Sequence, residues 1–250
     1  MAQRQTSPQS GEPEADRVWL LGGFGVSIGS RGIEASRWRV KKAATLVKLL
    51  AIAPGHRLHR EQVTNVLWPH LGTKSASNNL YRVLHSTRAL LEAAPADAPF
   101  RHPALQGDTL ALCPDGLLWA DVEASEEAAT ARRSREPAAY RAAVELYASD
   151  LLPEDRYEEW AQERRQALRK TLLVLLVELG SLHEERGEYE AAIAALRRVV
   201  AEEQTAEEAH VGLMRLYALE CLRSAYRPPT PVRLHRAGVA RERRASRARS

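Results

Sequence analysis

Arg57 to Glu92, RLHREQVTNVLWPHLGTKSASNNLYRVLHSTRALLE, is the stretch on which the fold turns. It predicts two helices joined by a turn, the first ended by Trp68-Pro69 and the second running from about Ser75 to Glu92. Leu80, Leu84, Thr87 and Leu91 recur at i, i+4, i+7 and i+11, which is one face of a 3.6-residue helix. Asn78, Arg82, His85, Ser86 and Ala89 then point the other way. That outer face holds amides, a guanidinium and an imidazole, and no carboxylate. Arg pairs with guanine and Asn with adenine in the major groove of DNA, so such a helix suits base reading. An ordinary amphipathic helix with a solvated face has the same pattern.

Charge is divided along the chain. The net value is +4, yet Arg37 to Glu92 holds ten Lys/Arg against Glu61 and Glu92, and the residues from Leu222 hold nine Arg against one Glu. Those two segments are each +8, so the remainder is −12. A basic segment on an acidic chain marks where a polyanion binds, without saying which one. The longest purely apolar run, Leu172 to Val177, is too short to cross a bilayer, and Met1 to Asp16 has no apolar block of the signal-peptide kind. Cys113 and Cys221 are isolated, which fits a reducing cytoplasm.

Outward from the central stretch, residues 1–16 have the composition of a disordered leader. From Arg17, two β-prone runs flank Gly29-Ser30-Arg31-Gly32 and predict a hairpin. Gly22, Gly23 and Gly25 lack GxGxxG spacing, and no GxxxxGK[ST] occurs, so no nucleotide site is expected. A helix follows over about Trp38 to Ala53, with Arg37, Arg39, Lys41, Lys42 and Lys48 as its charged residues and Pro54-Gly55 as its stop. After Glu92 a loop leads to a second hairpin, turning at Gln106-Gly107-Asp108. Three helices between two hairpins make a winged helix-turn-helix, with Arg101 beside the DNA backbone.

Beyond Asp121, an expected N-cap, the pattern is helical over about 122–133, 137–149, 157–186, 189–203 and 206–220. Leu175 to Glu208 fits the 34-residue tetratricopeptide pattern, with Leu179, Gly180, Gly187, Tyr189, Ala191, Ala192 and Ile193 at the close contacts of a helical hairpin. The expected fold is therefore an α+β winged helix-turn-helix domain (17–119) followed by an all-α tetratricopeptide-like domain (120–221) and a basic tail (222–250).

LLGGFGV, LVKLLAIAPGHRLHREQVTNVLWP, ASNNLYRVLH, GDTLALCPDG, LLPEDRYEEWAQERR and RGEYEAAIAALRRVVAEE together resemble the AfsR/SARP family of actinobacterial transcriptional regulators, over roughly Arg17 to Leu219. These join an OmpR-type winged helix to a bacterial transcriptional activation domain. The resemblance implies promoter binding, often by pairs of subunits on direct repeats, and contact with RNA polymerase. It places the recognition helix on Ser75 to Glu92. Two departures stand out. Thr87 occupies a core position where Leu is usual, so Thr87→Leu is expected to stabilise by roughly 1 kcal/mol unless its hydroxyl is bonded to a backbone carbonyl. Cys221 stands where a second repeat would place its turn glycine, and Pro228, Pro229 and Pro231 follow. Either a shifted reading frame or a genuine DNA-binding tail accounts for that end.

The candidate base-reading residues are Asn78, Arg82, His85 and Ser86. Lys74, in the turn before the helix, and Tyr81, Arg88 and Arg101 are the candidate phosphate contacts. His56-x-x-His59 spans a loop and is a poor metal pair, while Glu154-Asp155 and Glu158-Glu159 are expected to be solvated helix ends. No cofactor, metal or catalytic set is expected. The expected partners are double-stranded DNA, RNA polymerase and a second copy of the chain, with no membrane. A tetratricopeptide-type adaptor whose winged helix binds protein is the alternative.

Overall fold

The computed structural model describes residues 16–91, 103–114, 118–147 and 149–225. Its first layer is a four-stranded sheet in the order β3-β2-β1-β7. Strands β1 (Asp16–Trp19), β2 (Gly25–Ile28) and β3 (Arg31–Ile33) form an antiparallel meander, and Gly29 takes φ 53° in the β2–β3 turn. The expected hairpin is thus β2–β3, and the run before it is a third strand. The other edge of β1 pairs in parallel with β7 (Leu118–Ala120), Val18 lying opposite Ala120. This pairing was not foreseen, because a three-residue strand has no local signal when its partner lies far upstream.

Helices α1 (Lys41–Ile52), α2 (Arg60–Leu67) and α3 (Thr73–Leu91) pack on one another, and their buried side chains share one core cluster with those of the sheet. Helix α1 starts later than expected, because Ala35–Arg37 form a separate 3-10 turn and Val40 is extended. It ends where Ala53, restricted by Pro54, turns to φ −75° and ψ 142°. The wing is a second sheet, ordered β4-β6-β5, from β4 (Arg57–His59), β5 (Ala104–Gln106) and β6 (Thr109–Ala111). Gly107, at φ 61°, makes the expected β5–β6 turn. The stretch that looked purely helical therefore opens with a strand, Leu58 facing inward opposite Leu110 while Arg57 and His59 stay exposed.

The second region comprises α4 (Asp121–Thr130), α5 (Pro137–Leu146), α6 (Gln162–Glu185), α7 (Tyr189–Glu202) and α8 (Glu207–Ala225). Gly187, at φ 72°, makes the α6–α7 turn as expected. Contact between α7 and its neighbours depends on two bare backbones. A Cβ on Gly180 of α6 would lie 3.1 Å from Leu196 Cδ2, and one on Gly212 of α8 would lie 2.7 Å from Leu196 Cδ1. Leu196 is buried in the slot they leave, a burial worth roughly 1.5–3 kcal/mol.

Several expectations change here. Helix α6 begins at Gln162, after 3-10 turns at Pro153–Asp155 and Glu159–Ala161. Helix α8 continues to Ala225, past the expected end of the domain at 221, and the tail from 226 lies outside the described residues. Asp121, expected as the N-cap, is instead the first residue of α4. Its carboxylate is buried and accepts from the backbone N–H groups of Leu20 (2.9 Å) and Leu21 (2.9 Å), just beyond β1. Burial pushes its pKa up, against the pull of those hydrogen bonds. Glu154 and Asp155 do more than end a helix in solvent: both pair with buried Lys48 of α1, although Glu154 itself stays exposed. No described helix is long and apolar enough to cross a membrane.

Candidate nucleic-acid interface

Helix α2 is set by a capping box. His59 Nδ1 accepts from Glu61 N–H at 3.3 Å, and Gln62 Oε1 accepts from His59 N–H at 3.0 Å. Trp68 stops the helix, and Leu71 N–H donating to the Trp68 carbonyl at 3.1 Å closes the turn into α3. Residues Ala76, Leu80, Val83, Leu84, Thr87 and Leu91 are the buried side of α3, which fixes its rotation. The helical phase taken from the sequence is therefore correct. Thr87 is fully buried, and its hydroxyl donates to the Val83 carbonyl at 2.8 Å. That bond removes the expected gain from Thr87→Leu.

The opposite side carries Asn78, Tyr81, Arg82, His85 and Ala89, all exposed. Among the described residues, nothing hydrogen-bonds or ion-pairs with the side chains of Asn78, Arg82 or His85, so their donors and acceptors face solvent. Ser86 is half-buried, and its hydroxyl donates back to the Arg82 carbonyl at 3.0 Å, leaving the oxygen as an acceptor. Lys74 is exposed within the first turn of α3, since the helix starts at Thr73 and not at Ser75. Arg88 is half-buried, and its Nε donates to the Pro103 carbonyl at 2.8 Å, which ties α3 to the strand entering the wing. Arg101 lies outside the described residues.

Two wing-side cations were not picked out as site candidates. Arg57 is exposed on β4. Arg60, at the start of α2, meets Asp108 in the wing turn, through Nε to Oδ1 at 3.1 Å and through its N–H to the Asp108 carbonyl at 2.8 Å. The only available signal was the Arg57-Leu58-His59 alternation, too short to stand out. The histidines do not converge: His56 Nε2 meets Glu123 Oε2 at 3.1 Å while His59 caps α2. Among the described residues no group of three His, Cys, Asp or Glu is placed to hold a metal ion.

Residues 118–225 match the family model described as bacterial transcriptional activator domain, directly behind the winged helix. That stretch, less than half of the chain, is what the chain shares with this family model. A solved structure with the same fold is Mycobacterium tuberculosis EmbR in complex with a low-affinity phosphopeptide, at TM-score 0.64 and 18% identity over 84% of this chain. This chain spans 56% of that EmbR chain. No curated protein matches. An N-terminal α+β region followed by an all-helical region is the order of elements in this chain, and the EmbR fold match fits it.

Proposed function

We propose that this chain is an AfsR/SARP-type regulator, a sequence-specific DNA-binding activator of transcription acting in the cytoplasm. In this reading residues 17–119 bind the promoter, and the helical region from 120 contacts RNA polymerase and a second subunit on a direct repeat. The carrying observation is the solvent side of α3, where Asn78, Arg82 and His85 have no partner among the described residues, on a helix without a single carboxylate. Its 19 residues give a rod of about 28 Å, long enough to lie along the major groove. Asn78, Arg82, His85 and Ser86 would read bases. Lys74 and Tyr81 would hold phosphates, joined by Arg57 from the wing sheet, and Arg88 would act mainly by fixing the wing to α3.

The test separates the two roles, using a duplex enriched from a random library and a scrambled control. Losing a bidentate Arg–guanine contact costs about 1–3 kcal/mol and relaxes preference at one base pair. Losing a phosphate contact weakens all sequences alike and lowers the salt slope by about one unit. Arg82→Ala is expected to lower the ratio of specific to nonspecific affinity, and Lys74→Ala to leave that ratio nearly unchanged. Equal, sequence-independent losses in both would remove Arg82 from base reading. No loss in either would favour a protein-binding adaptor.

A further inference from the structure

The segment 149–155, SDLLPED, is bonded on one side to the winged helix and on the other to α6. Leu152 N–H donates to the Leu20 carbonyl at 2.8 Å, Gly22 N–H donates to the Asp150 carbonyl at 3.0 Å, and Leu21 and Leu151 form an antiparallel bridge. Gly22 takes φ +84°, and a Cβ there would lie 3.2 Å from Ser149 Cβ. Leu152 is fully buried at φ 46° and ψ 66°, a conformation that a non-glycine residue keeps only where its surroundings impose it.

Charge fastens the same segment. Glu154 Oε1 accepts from Phe24 N–H at 3.0 Å and from Lys48 Nζ at 3.2 Å, and Asp155 is the second anion on Lys48. The ammonium also lies 4.8 Å above the Phe24 ring. Lys48 is only 6% exposed and comes from α1, which packs directly on α3. From the helical side, Arg165 of α6 donates to the carbonyls of Leu151 (3.1 Å), Arg156 (3.2 Å) and Asp155 (3.3 Å). Units within one chain ordinarily move relative to each other across polar interfaces. Here, parting them would strand a buried cation whose counter-charges belong to the other side.

We propose that residues 149–155 are a coupling splint that holds the helical activator region in one orientation relative to α3, with Lys48 as a positioning residue. DNA binding does not need the splint, and transcriptional output does. This rests on the DNA-binding role given to α3 above.

Two unrelated lesions test it in the full chain. Lys48→Met removes the cation, and Gly22→Val wedges Ser149 away without altering charge. Spin labels on native Cys221 and on Gly32→Cys, an open position, report the distance between the two regions in a Cys113→Ser background. The parent protein is expected to give one narrow distance, and both variants a broad distribution. Affinity for the enriched duplex should stay within about threefold. Run-off transcription with RNA polymerase, from a template carrying that duplex, should fall by about tenfold or more. Narrow distances in both variants would overturn the splint. Broad distances with unchanged transcription would overturn its functional role, as would a loss of transcription matched by an equal loss of DNA affinity. Failure of the parent protein to enrich any duplex would instead overturn the DNA-binding role of α3 and the output claim with it, and the distances would still decide the mechanical claim.

Discussion

Thr87 lies midway along α3, fully buried, with its hydroxyl bonded to the carbonyl four residues back. Leucine there would add apolar volume to a filled site, and overpacking of this kind costs about 1–3 kcal/mol. Thr87→Leu is therefore expected to lower the urea midpoint, whereas Thr87→Val, nearly isosteric, should change stability by less than about 1 kcal/mol. A raised midpoint for the Leu variant would show that the core has slack beside α3. Asp121 poses a different question, since its burial and its hydrogen bonds oppose each other. Its folded pKa stands above the ordinary 3.8, so the folded state holds this proton more tightly than the unfolded chain does. The stability that this proton confers is fully present below 3.8 and is lost as pH rises through the raised value. A titration of the Asp121 carboxyl carbon by NMR should accordingly show a midpoint above 3.8. Asp121→Ala, which leaves the Leu20 and Leu21 N–H groups without their acceptor, should cost about 1–3 kcal/mol.

Among the helices, the α6–α7–α8 stack shows how packing overrides propensity. Replacing an exposed helical glycine by alanine ordinarily gains about 1 kcal/mol. Gly180 and Gly212 instead face Leu196 from opposite sides, so either Cβ can be accommodated only by moving Leu196 toward the other glycine. The single variants Gly180→Ala and Gly212→Ala are expected to be mildly destabilising, and the double variant to lose more than their sum. A double-mutant cycle by urea unfolding measures that excess, about 0.5–3 kcal/mol for residues sharing one neighbour. Strict additivity would mean that Leu196 has another rotamer available. Gly180 was legible in the sequence because it falls within a tetratricopeptide pattern, as was the rotation of α3, because Leu80, Leu84, Thr87 and Leu91 repeat at helical spacing. Gly212 was not, since nothing in EEAHVGLMR distinguishes a packing glycine from a tolerated one. Strands β4 and β7 were hidden for a related reason: three residues cannot establish a period, and both depend on partners brought in by the tertiary fold. Nothing in the sequence marks Lys48 as a buried, paired cation, because its anions lie more than a hundred positions away. The outward set Asn78, Arg82 and His85 needed only the local period, which is why its exposure could be anticipated.

At the scale of the whole molecule, a boundary near residue 120 is a division of sequence that the contacts do not respect. Strand β7 completes the N-terminal sheet, Asp121 caps its end, and Leu151 and Leu152 are fully buried beside the Leu20–Leu21 turn. One contiguous core cluster runs from Val18 through Leu152 to Leu216. Cutting the chain after residue 119 would uncover Leu20 and Leu21, remove the Asp121 carboxylate from their N–H groups and strip Lys48 of both anions. A fragment of residues 16–119 is thus expected to unfold at a distinctly lower urea concentration than the full chain. The full chain should unfold as one cooperative unit. Two probes weigh the two regions differently: Trp19, Trp38, Trp68 and Trp119 lie on the N-terminal side and Trp160 alone on the other, so fluorescence follows mainly the winged helix. Far-UV circular dichroism follows mainly α4 to α8. Coincident transitions by fluorescence and dichroism are what a single unit requires. If the dichroism change separates from the fluorescence change, the two regions fold independently and the contacts between them are weaker than their geometry suggests.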